Sequence, residues 1–253
     1  GAGVLEAVGH SFFTLSVGMG AMLTYGSYLK RDDDLVSAAI YISLLDTLVA
    51  LMACLVLFPI TFTLGMEPAA GPGLVFKNMP IAFASLLGGG LWSVVFFSLL
   101  TFAALTSSIS LLEVAASYFI DERGWSRKRA VMTIAAVIFA LGVPSALSNS
   151  TDLFGKQFAD LTAPAFAIVG VEGGKNWFDT FDYLASNWML PLGGLGIAVF
   201  AAWRVGAKAR EESFAAGSSL GKIKAVYLAW LMLLRYIVPI AIVLVMLHAL
   251  GAL

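Results

Sequence analysis

The sequence predicts an all-α protein that spans a membrane. Of its 253 residues, 60% are hydrophobic and 12% are charged, whereas soluble domains contain about 45–50% apolar and about 25% charged residues. Six apolar stretches are long enough, at about 17–25 residues, to cross a bilayer as helices. They cover residues 10–29, 36–60, 90–120, 130–147, 184–204 and 226–250. We therefore expect a single transmembrane domain over residues 1–253.

The first span contains residues that are poor helix formers near its middle, namely Ser16, Gly18 and Gly20. We expect the helix to be interrupted within about Leu15–Gly20. The freed N–H and C=O groups must then face protein or a wet cavity, and such discontinuous helices form the binding sites of many secondary transporters. The alternative is an unbroken helix whose small residues let neighbouring helices approach closely.

The second and third spans carry polar side chains, which are costly in a bilayer and therefore indicate function. Asp46 lies near the middle of the second span, where a charge costs about 2.5–3.5 kcal/mol. It needs a partner, a bound cation or a proton. The third span carries a cluster of hydroxyls, listed in order as Thr106, Ser107, Ser108 and Ser110. These hydroxyls either bond back to preceding carbonyls or serve a hard cation.

Lysine and arginine residues are concentrated in alternate loops. The loops after the first, third and fifth spans hold Lys30, Arg31, Arg123, Arg127, Lys128, Arg129, Arg204, Lys208, Arg210, Lys222 and Lys224. The opposite segments, 61–89 and 148–183, hold Lys77, Lys156 and Lys175. Because cytoplasmic loops carry the excess of basic residues, residue 1 is predicted to lie outside the cell.

The two outer segments are longer than simple linkers. Residues 71–73 read Gly-Pro-Gly, a turn signal, and a short apolar stretch from Ile81 could form a small helix. Residues 148–183 mix glycine, aspartate and aromatic residues, which favours a partly ordered external cap.

Composition also excludes several classes of protein. The net charge of −1 argues against a nucleic-acid partner. The single cysteine, Cys54, rules out a disulfide framework or a cysteine metal site. An intramembrane hydrolase would need a second buried acid placed like Asp46, so we predict that the protein is not an enzyme. Since residue 1 is glycine and no basic signal region precedes the first span, we expect a fragment.

Two motifs resemble one family of transporters. Residues 9–21, GHSFFTLSVGMGA, with Thr24–Tyr28, resemble the sixth transmembrane helix of the neurotransmitter:sodium symporter family. Residues 105–110, LTSSIS, and 121–128, DERGWSRK, resemble its eighth helix and the following loop. The resemblance implies the second inverted repeat (helices 6–10) of a leucine-transporter-type fold plus helix 11, with its first helix discontinuous. Helices one to five, needed for complete sites, would be absent.

The resemblance also implies two sodium sites. Thr14 and Asp46 would help form the first, beside the carboxylate of the substrate. The Ala103 carbonyl with the Thr106 and Ser107 hydroxyls would help form the second. Many members have asparagine where Asp46 stands. Chloride is not expected, because Ala50 stands where chloride-dependent members carry serine.

The implied substrate is an amino acid. Phe13 would cover it, while Ser16 and the carbonyls of the break would hold its amino group. The complete set of implied substrate-binding residues is Phe13, Thr14, Ser16, Met19, Ser107 and Leu111. Met19 is flexible and polarizable, which favours a large apolar or aromatic substrate.

Three further residues match the gates of the family. Asp182 matches the acid of the outer gate, Asp121 that of the inner gate, and Tyr28 a supporting tyrosine. The resemblance therefore predicts sodium-coupled symport of an amino acid by alternating access, in the inner (plasma) membrane of a bacterium. The alternative is a structural or receptor-like membrane subunit that uses the same polar residues for packing.

Overall fold

The computed structural model describes residues 2–30, 32–66, 73–171 and 173–249. These described residues form ten helices and contain no strand. In order they are α1 Ala2–Thr14, α2 Ala21–Ser27, α3 Leu35–Thr63, α4 Leu74–Ala84, α5 Gly89–Asp121, α6 Arg127–Leu147, α7 Lys156–Ile168, α8 Trp177–Arg204, α9 Ala207–Ala215 and α10 Lys224–Ala249. Five of the described helices, α3, α5, α6, α8 and α10, are long and apolar enough to cross a membrane. The prediction of an all-α membrane fold is therefore confirmed.

The predicted interruption of the first helix is confirmed, because α1 ends at Thr14 and α2 begins at Ala21. Several boundaries differ from their predicted positions. Helix α1 already includes Ala2, and α8 begins at Trp177 instead of near residue 184. The α8 start is fixed by Asn176, whose side-chain oxygen accepts a hydrogen bond from the Asp179 N–H at 2.8 Å. Hydropathy misses this first turn because Asp179 and Asp182 make it polar.

Segments 61–89 and 148–183 contain more helix than the sequence suggests. The small helix expected from Ile81 begins earlier, at Leu74, and α7 occupies the middle of segment 148–183. Gly71 and Pro72, which form most of the predicted turn, lie outside the described residues.

Prolines explain three π-helical turns within the helices. Segments Leu74–Asn78, Ala185–Met189 and Leu233–Ile237 are π-helical turns, and each is followed two residues later by a proline: Pro80, Pro191 or Pro239. Proline lacks an N–H and its ring collides with the carbonyl four residues earlier. The π-helical turn moves that carbonyl away, so the helix continues through the proline.

The described residues group into two compact units. One contains the chain up to Ala39 and from Leu112 onward, and the other is Ile40–Leu111. In the first unit, α1 packs against α8 and α10 through a core of Phe12, Leu190 and Ile242. The packing of α1 on α8 holds the end of α1, where the helix break begins, against α8.

The second unit contains α4, most of α3 and most of α5. Helix α4 packs on α5 through aromatic rings: the Phe83 and Phe96 centroids are 5.4 Å apart, and those of Phe76 and Phe97 are 6.1 Å apart. The most apolar stretches of α3 and α5 are not buried, as expected for helices that face lipid or further transmembrane helices.

Candidate functional site

Three residues in the break between α1 and α2 have positive φ angles. The last α1-type bonds run from the Leu15 N–H to the Ser11 carbonyl and from the Ser16 N–H to the Phe13 carbonyl, both at 3.1 Å. Ser16, Gly18 and Gly20 then adopt φ angles of 54°, 92° and 85°. Only glycine enters this left-handed region freely, so the strained conformation of Ser16 marks a position held by its surroundings.

The backbone of the break is in direct contact with the backbone of α8. A Cβ atom at Gly18 would overlap the Leu190 carbonyl oxygen and lie 2.9 Å from the Gly194 nitrogen. A Cβ atom at Gly193 would in turn overlap the Gly18 carbonyl oxygen. A side chain at Gly194 would lie 2.7 Å from the Phe12 ring. Gly18 and Gly193 therefore permit a contact between two backbones that a side chain at either position would prevent, and Gly194 leaves room for the Phe12 ring.

The backbone at the break is left available for a ligand. In the part of the chain that the structure describes, the N–H groups of Val17, Gly18, Met19 and Gly20 donate no backbone hydrogen bond. Regular bonding resumes with the Thr24 N–H, which donates to the Gly20 carbonyl at 3.0 Å. Unpaired backbone groups at membrane depth need a wet cavity, a ligand or further protein.

The expected substrate residues of the first unit differ in exposure. Phe13 and Thr14 are exposed at the end of α1, and Ser16 is half-buried in the break. Met19 is also half-buried and packs against the core of Phe12, Leu190 and Ile242. The four expected substrate residues of this unit therefore lie at the end of α1 and in the break: Phe13, Thr14, Ser16 and Met19.

The remaining expected ligands lie in the second unit. Asp46 is exposed on α3, and its carboxylate has no hydrogen-bond or ion-pair partner among the described residues. Ala103, Thr106, Ser107 and Leu111 follow one another on α5. Because Thr14 belongs to one unit and Asp46 to the other, their shared sodium site stays a prediction.

The hydroxyl cluster on α5 bonds to its own helix. The Thr106 hydroxyl donates to the Ala103 carbonyl at 2.8 Å, that of Ser108 to the Ala104 carbonyl at 2.8 Å, and that of Ser110 to the Thr106 carbonyl at 2.9 Å. Donating its proton leaves the lone pairs of the Thr106 oxygen available. The Ala103 carbonyl and Thr106 hydroxyl therefore present two adjacent oxygen atoms, a donor set suited to a hard cation. No cluster of three His, Cys, Asp or Glu side chains occurs within the described ranges.

An ionic network that the sequence analysis missed lies where α2 ends. The Tyr28 hydroxyl donates to Glu113 Oε1 at 2.7 Å. Arg127 donates to both oxygens of the same carboxylate, at 3.1 and 2.7 Å. Glu113 therefore joins the end of α2 to the first turn of α6. Glu113 is an acid within the apolar helix α5, toward its C-terminal end and not near the middle as Asp46 is in α3, and that signal was available in the sequence.

The two expected gate acids make few contacts. Asp182 accepts a hydrogen bond from the Ser186 hydroxyl at 3.3 Å, one turn further along α8. Asp121 is the last residue of α5 and forms no ion pair with any other described residue. Of the three gate residues, only Tyr28 takes part in a network between helices.

Comparison with known proteins gives consistent results. The model of the sodium:neurotransmitter symporter family matches residues 4–251. The chain is 34% identical to the uncharacterized sodium-dependent transporter YhdH of Bacillus subtilis over 99% of this chain and 52% of YhdH. It is 31% identical to an uncharacterized sodium-dependent transporter of Haemophilus influenzae over 94% of this chain and 48% of that protein.

A solved structure matches as well. The crystal structure of MhsT in complex with L-phenylalanine superposes with a TM-score of 0.78 at 41% identity, covering 98% of this chain and 52% of MhsT. The chain thus spans about half the length of these relatives. With the broken helix, the glycine contact on α8 and a family match along nearly its whole length, the chain belongs to the sodium:neurotransmitter symporter family.

Proposed function

We propose that this chain forms part of a sodium-coupled symporter that carries an amino acid across a membrane. The observation that carries the proposal is the break between α1 and α2, where unpaired backbone groups lie beside Phe13, Thr14 and Ser16. Family membership and the phenylalanine bound to the similar MhsT support it. In the complete protein, five further helices would precede α1 and complete the sites.

The end of α1 suits positively charged ligands. The last carbonyls of a helix carry partial negative charge, and α1 ends at the break. The ammonium group of an amino acid would bind the carbonyls and the Ser16 hydroxyl. Sodium would bind nearby at Thr14 and Asp46, and a second ion would bind the oxygen pair of Ala103 and Thr106 with Ser107. Both ions are transported with the substrate.

The preferred substrate is proposed to be a large apolar or aromatic amino acid. Met19 and Leu111 would each provide apolar surface, and the ring of Phe13, which is exposed, would cover the bound side chain. Methionine adapts its shape more readily than a rigid aromatic side chain, so the pocket would adjust to bulky groups.

Coupling requires that ligands stabilise one conformation over another. Sodium and substrate together would favour an occluded state, after which rocking of the helices would open the cytoplasmic side. In this proposal the end of α2, with Tyr28 and Glu113, would lie at the cytoplasmic side of a bacterial plasma membrane, a position that the excess of basic residues in the neighbouring loops favours. Their network with Arg127 would hold that side closed.

The test is uptake by the full-length protein in sealed vesicles. An inward sodium gradient should drive accumulation of labelled phenylalanine or leucine, and potassium in place of sodium should abolish it. Unlabelled leucine, tryptophan or tyrosine should compete better than glycine or a charged amino acid. Sodium-dependent binding without accumulation would reject symport and favour a receptor-like subunit. Better competition by glycine would contradict the proposed substrate class alone.

A further inference from the structure

Two arginine side chains converge on one carbonyl group near the end of α8. Arg210, on α9, donates from Nη1 to the Ala202 carbonyl at 2.9 Å. Arg235, on α10, donates to the same carbonyl from Nε and from Nη2, both at 3.3 Å. Because both side chains bond one oxygen, the two bonded nitrogen atoms cannot be farther apart than the sum of these distances. Two positive charges are therefore held close together where three helices meet.

Arg210 is almost completely buried. It is 7% exposed, and its guanidinium group also bonds the carbonyls of Ala201 and Val205, at 3.2 and 3.1 Å, and the Tyr227 hydroxyl, at 3.1 Å. These carbonyls lie at the C-terminal end of α8, where a helix carries about half a negative charge. Half a charge cannot balance two guanidinium groups, neither of which loses its proton in a protein.

No carboxylate balances the remaining charge in the part of the chain that the structure describes. Neither ion pair found there includes Arg210 or Arg235. Residues 201–235 contain six basic residues and only two acidic ones, Glu211 and Glu212, both of which are exposed. A buried charge is costly unless it is paired. The two arginines therefore favour an anion from outside the described residues.

Each guanidinium group keeps one amino group available for such an anion. Nη2 of Arg210 and Nη1 of Arg235 donate no hydrogen bond to any described residue. Among the described residues, only the Tyr183 hydroxyl is a fully buried side-chain group without a partner, so both amino groups have surface that a ligand can reach. Arginine is well suited to phosphate, whose oxygen atoms match the geometry of its donors.

The surroundings of the two arginines are typical of a membrane interface. Arg235 lies within a helix that is long and apolar enough to cross a membrane, at the level of Ala202, which is two residues before the end of α8. Trp203 and Tyr236, which directly follow Ala202 and Arg235, are 50% and 58% exposed. Tryptophan and tyrosine are enriched where a bilayer meets water, and basic pockets between transmembrane helices bind the headgroups of anionic phospholipids.

We propose that Arg210 and Arg235 bind the phosphate group of an anionic phospholipid at the end of α8. The two available amino groups would donate to phosphate oxygens, and the acyl chains would lie along the apolar surfaces of α8 and α10. Trp203 and Tyr236 would contact the headgroup region. The phosphate would supply the negative charge that the described residues lack. The proposal does not rest on symport, because none of these residues is assigned to the sodium or substrate sites.

The test uses the purified full-length protein, freed of lipid in a non-ionic detergent and observed by native mass spectrometry. One copy of phosphatidylglycerol should bind more tightly than further copies, and phosphatidylcholine, whose headgroup has no net charge, should bind more weakly. Inorganic phosphate should not displace the tight copy. Displacement by inorganic phosphate would assign the site to a soluble anion and overturn the lipid. Equal binding of the two lipids, or no tight copy, would overturn the site itself.

Arg235→Gln separates lipid binding from folding. The Ala202 carbonyl keeps its bond from Arg210 in this variant, so the fold should be retained. Phosphatidylglycerol should bind about tenfold to a hundredfold more weakly, the effect of losing a hydrogen bond to a charged group. Without lipid the variant should melt at the same or a higher temperature, because two like charges are no longer adjacent. A lower melting temperature with unchanged lipid affinity would show that Arg235 only caps α8 and would overturn the proposal.

Two further variants distinguish the arginine pair from positive charge in general. Arg235→Lys keeps the charge but loses the planar guanidinium group, so it should recover only part of the affinity. Lys224→Gln is the matched control, because it removes one positive charge from an exposed position in the first turn of the same helix. It should leave the tight copy bound. An equal loss of affinity in Lys224→Gln and Arg235→Gln would reject a site built from Arg210 and Arg235.

Discussion

Gly18 and Leu190 are in contact through their backbones, so that a Cβ atom at Gly18 would overlap the Leu190 carbonyl oxygen. Through this contact the break between α1 and α2 packs against α8. Gly18 also has a φ angle of 92°, which side-chain-bearing residues rarely adopt. Two independent restrictions therefore require glycine at this position.

Gly18→Ala is expected to prevent the break from docking on α8. The left-handed conformation alone costs about 1–3 kcal/mol for a residue with a side chain, and the overlap with Leu190 adds to it. We expect loss of uptake and a clearly lower melting temperature in detergent. Gly26→Ala is the matched control, since nothing lies within 4 Å of its Cβ position in α2. It should be neutral or stabilise by about 0.5–1 kcal/mol. Equal effects of the two substitutions would contradict this reading.

Glu113→Ala is expected to lower the thermal stability of the protein more than Glu113→Gln does. Alanine removes every acceptor from Tyr28 and Arg127, whereas glutamine keeps an oxygen for the Tyr28 hydroxyl. Hydrogen bonds to charged groups contribute about 1.5–3 kcal/mol, but the ion pair itself contributes less because the Arg127 side chain is 68% exposed. The measurement is thermal unfolding of both variants at low and high salt. A similar loss of thermal stability in both variants would show that the ion pair with Arg127, and not the hydrogen bond from Tyr28, makes the main contribution to stability.

Thr106→Ala and Ser107→Ala are expected to raise the sodium concentration for half-maximal uptake by about tenfold or more, the effect of losing about 1.4 kcal/mol of ion binding. Thr106→Ser keeps the oxygen and should retain most of the affinity. Ser110→Ala serves as the second control, because its hydroxyl bonds the Thr106 carbonyl in the same way. If Ser110→Ala has the same effect as Thr106→Ala, the hydroxyls stabilise the helix and do not bind sodium.

Transport is expected to be independent of chloride. Two sodium ions in a region of low dielectric constant need negative charge nearby, and Asp46 supplies a carboxylate that no described residue neutralises. Replacing chloride by gluconate should leave uptake unchanged. The double variant Asp46→Asn with Ala50→Ser should gain chloride dependence, because it removes the carboxylate and adds a hydroxyl one turn away. Collapse of wild-type uptake in gluconate would refute the role given to Asp46.

The sequence by itself determined the class of the protein, the approximate positions of the spans and the place of the helix break. These are local properties: apolar runs of membrane length follow from composition, and Ser16, Gly18 and Gly20 weaken the helix whatever surrounds them. The motifs around Thr14 and Thr106 also consist of consecutive residues. Their resemblance to one family can therefore be recognised from the sequence alone. Local reasoning was weakest at the polar first turn of α8, where the cap by Asn176 outweighed hydropathy.

The tertiary structure decided which distant residues meet. Nothing near Gly18 in sequence indicates that it contacts Leu190, and Glu113 gains its role only because Tyr28 and Arg127 converge on it from two other helices. Hydropathy and motif spacing describe one segment at a time, whereas contacts between helices depend on how their faces pack, and that packing is fixed only by the fold.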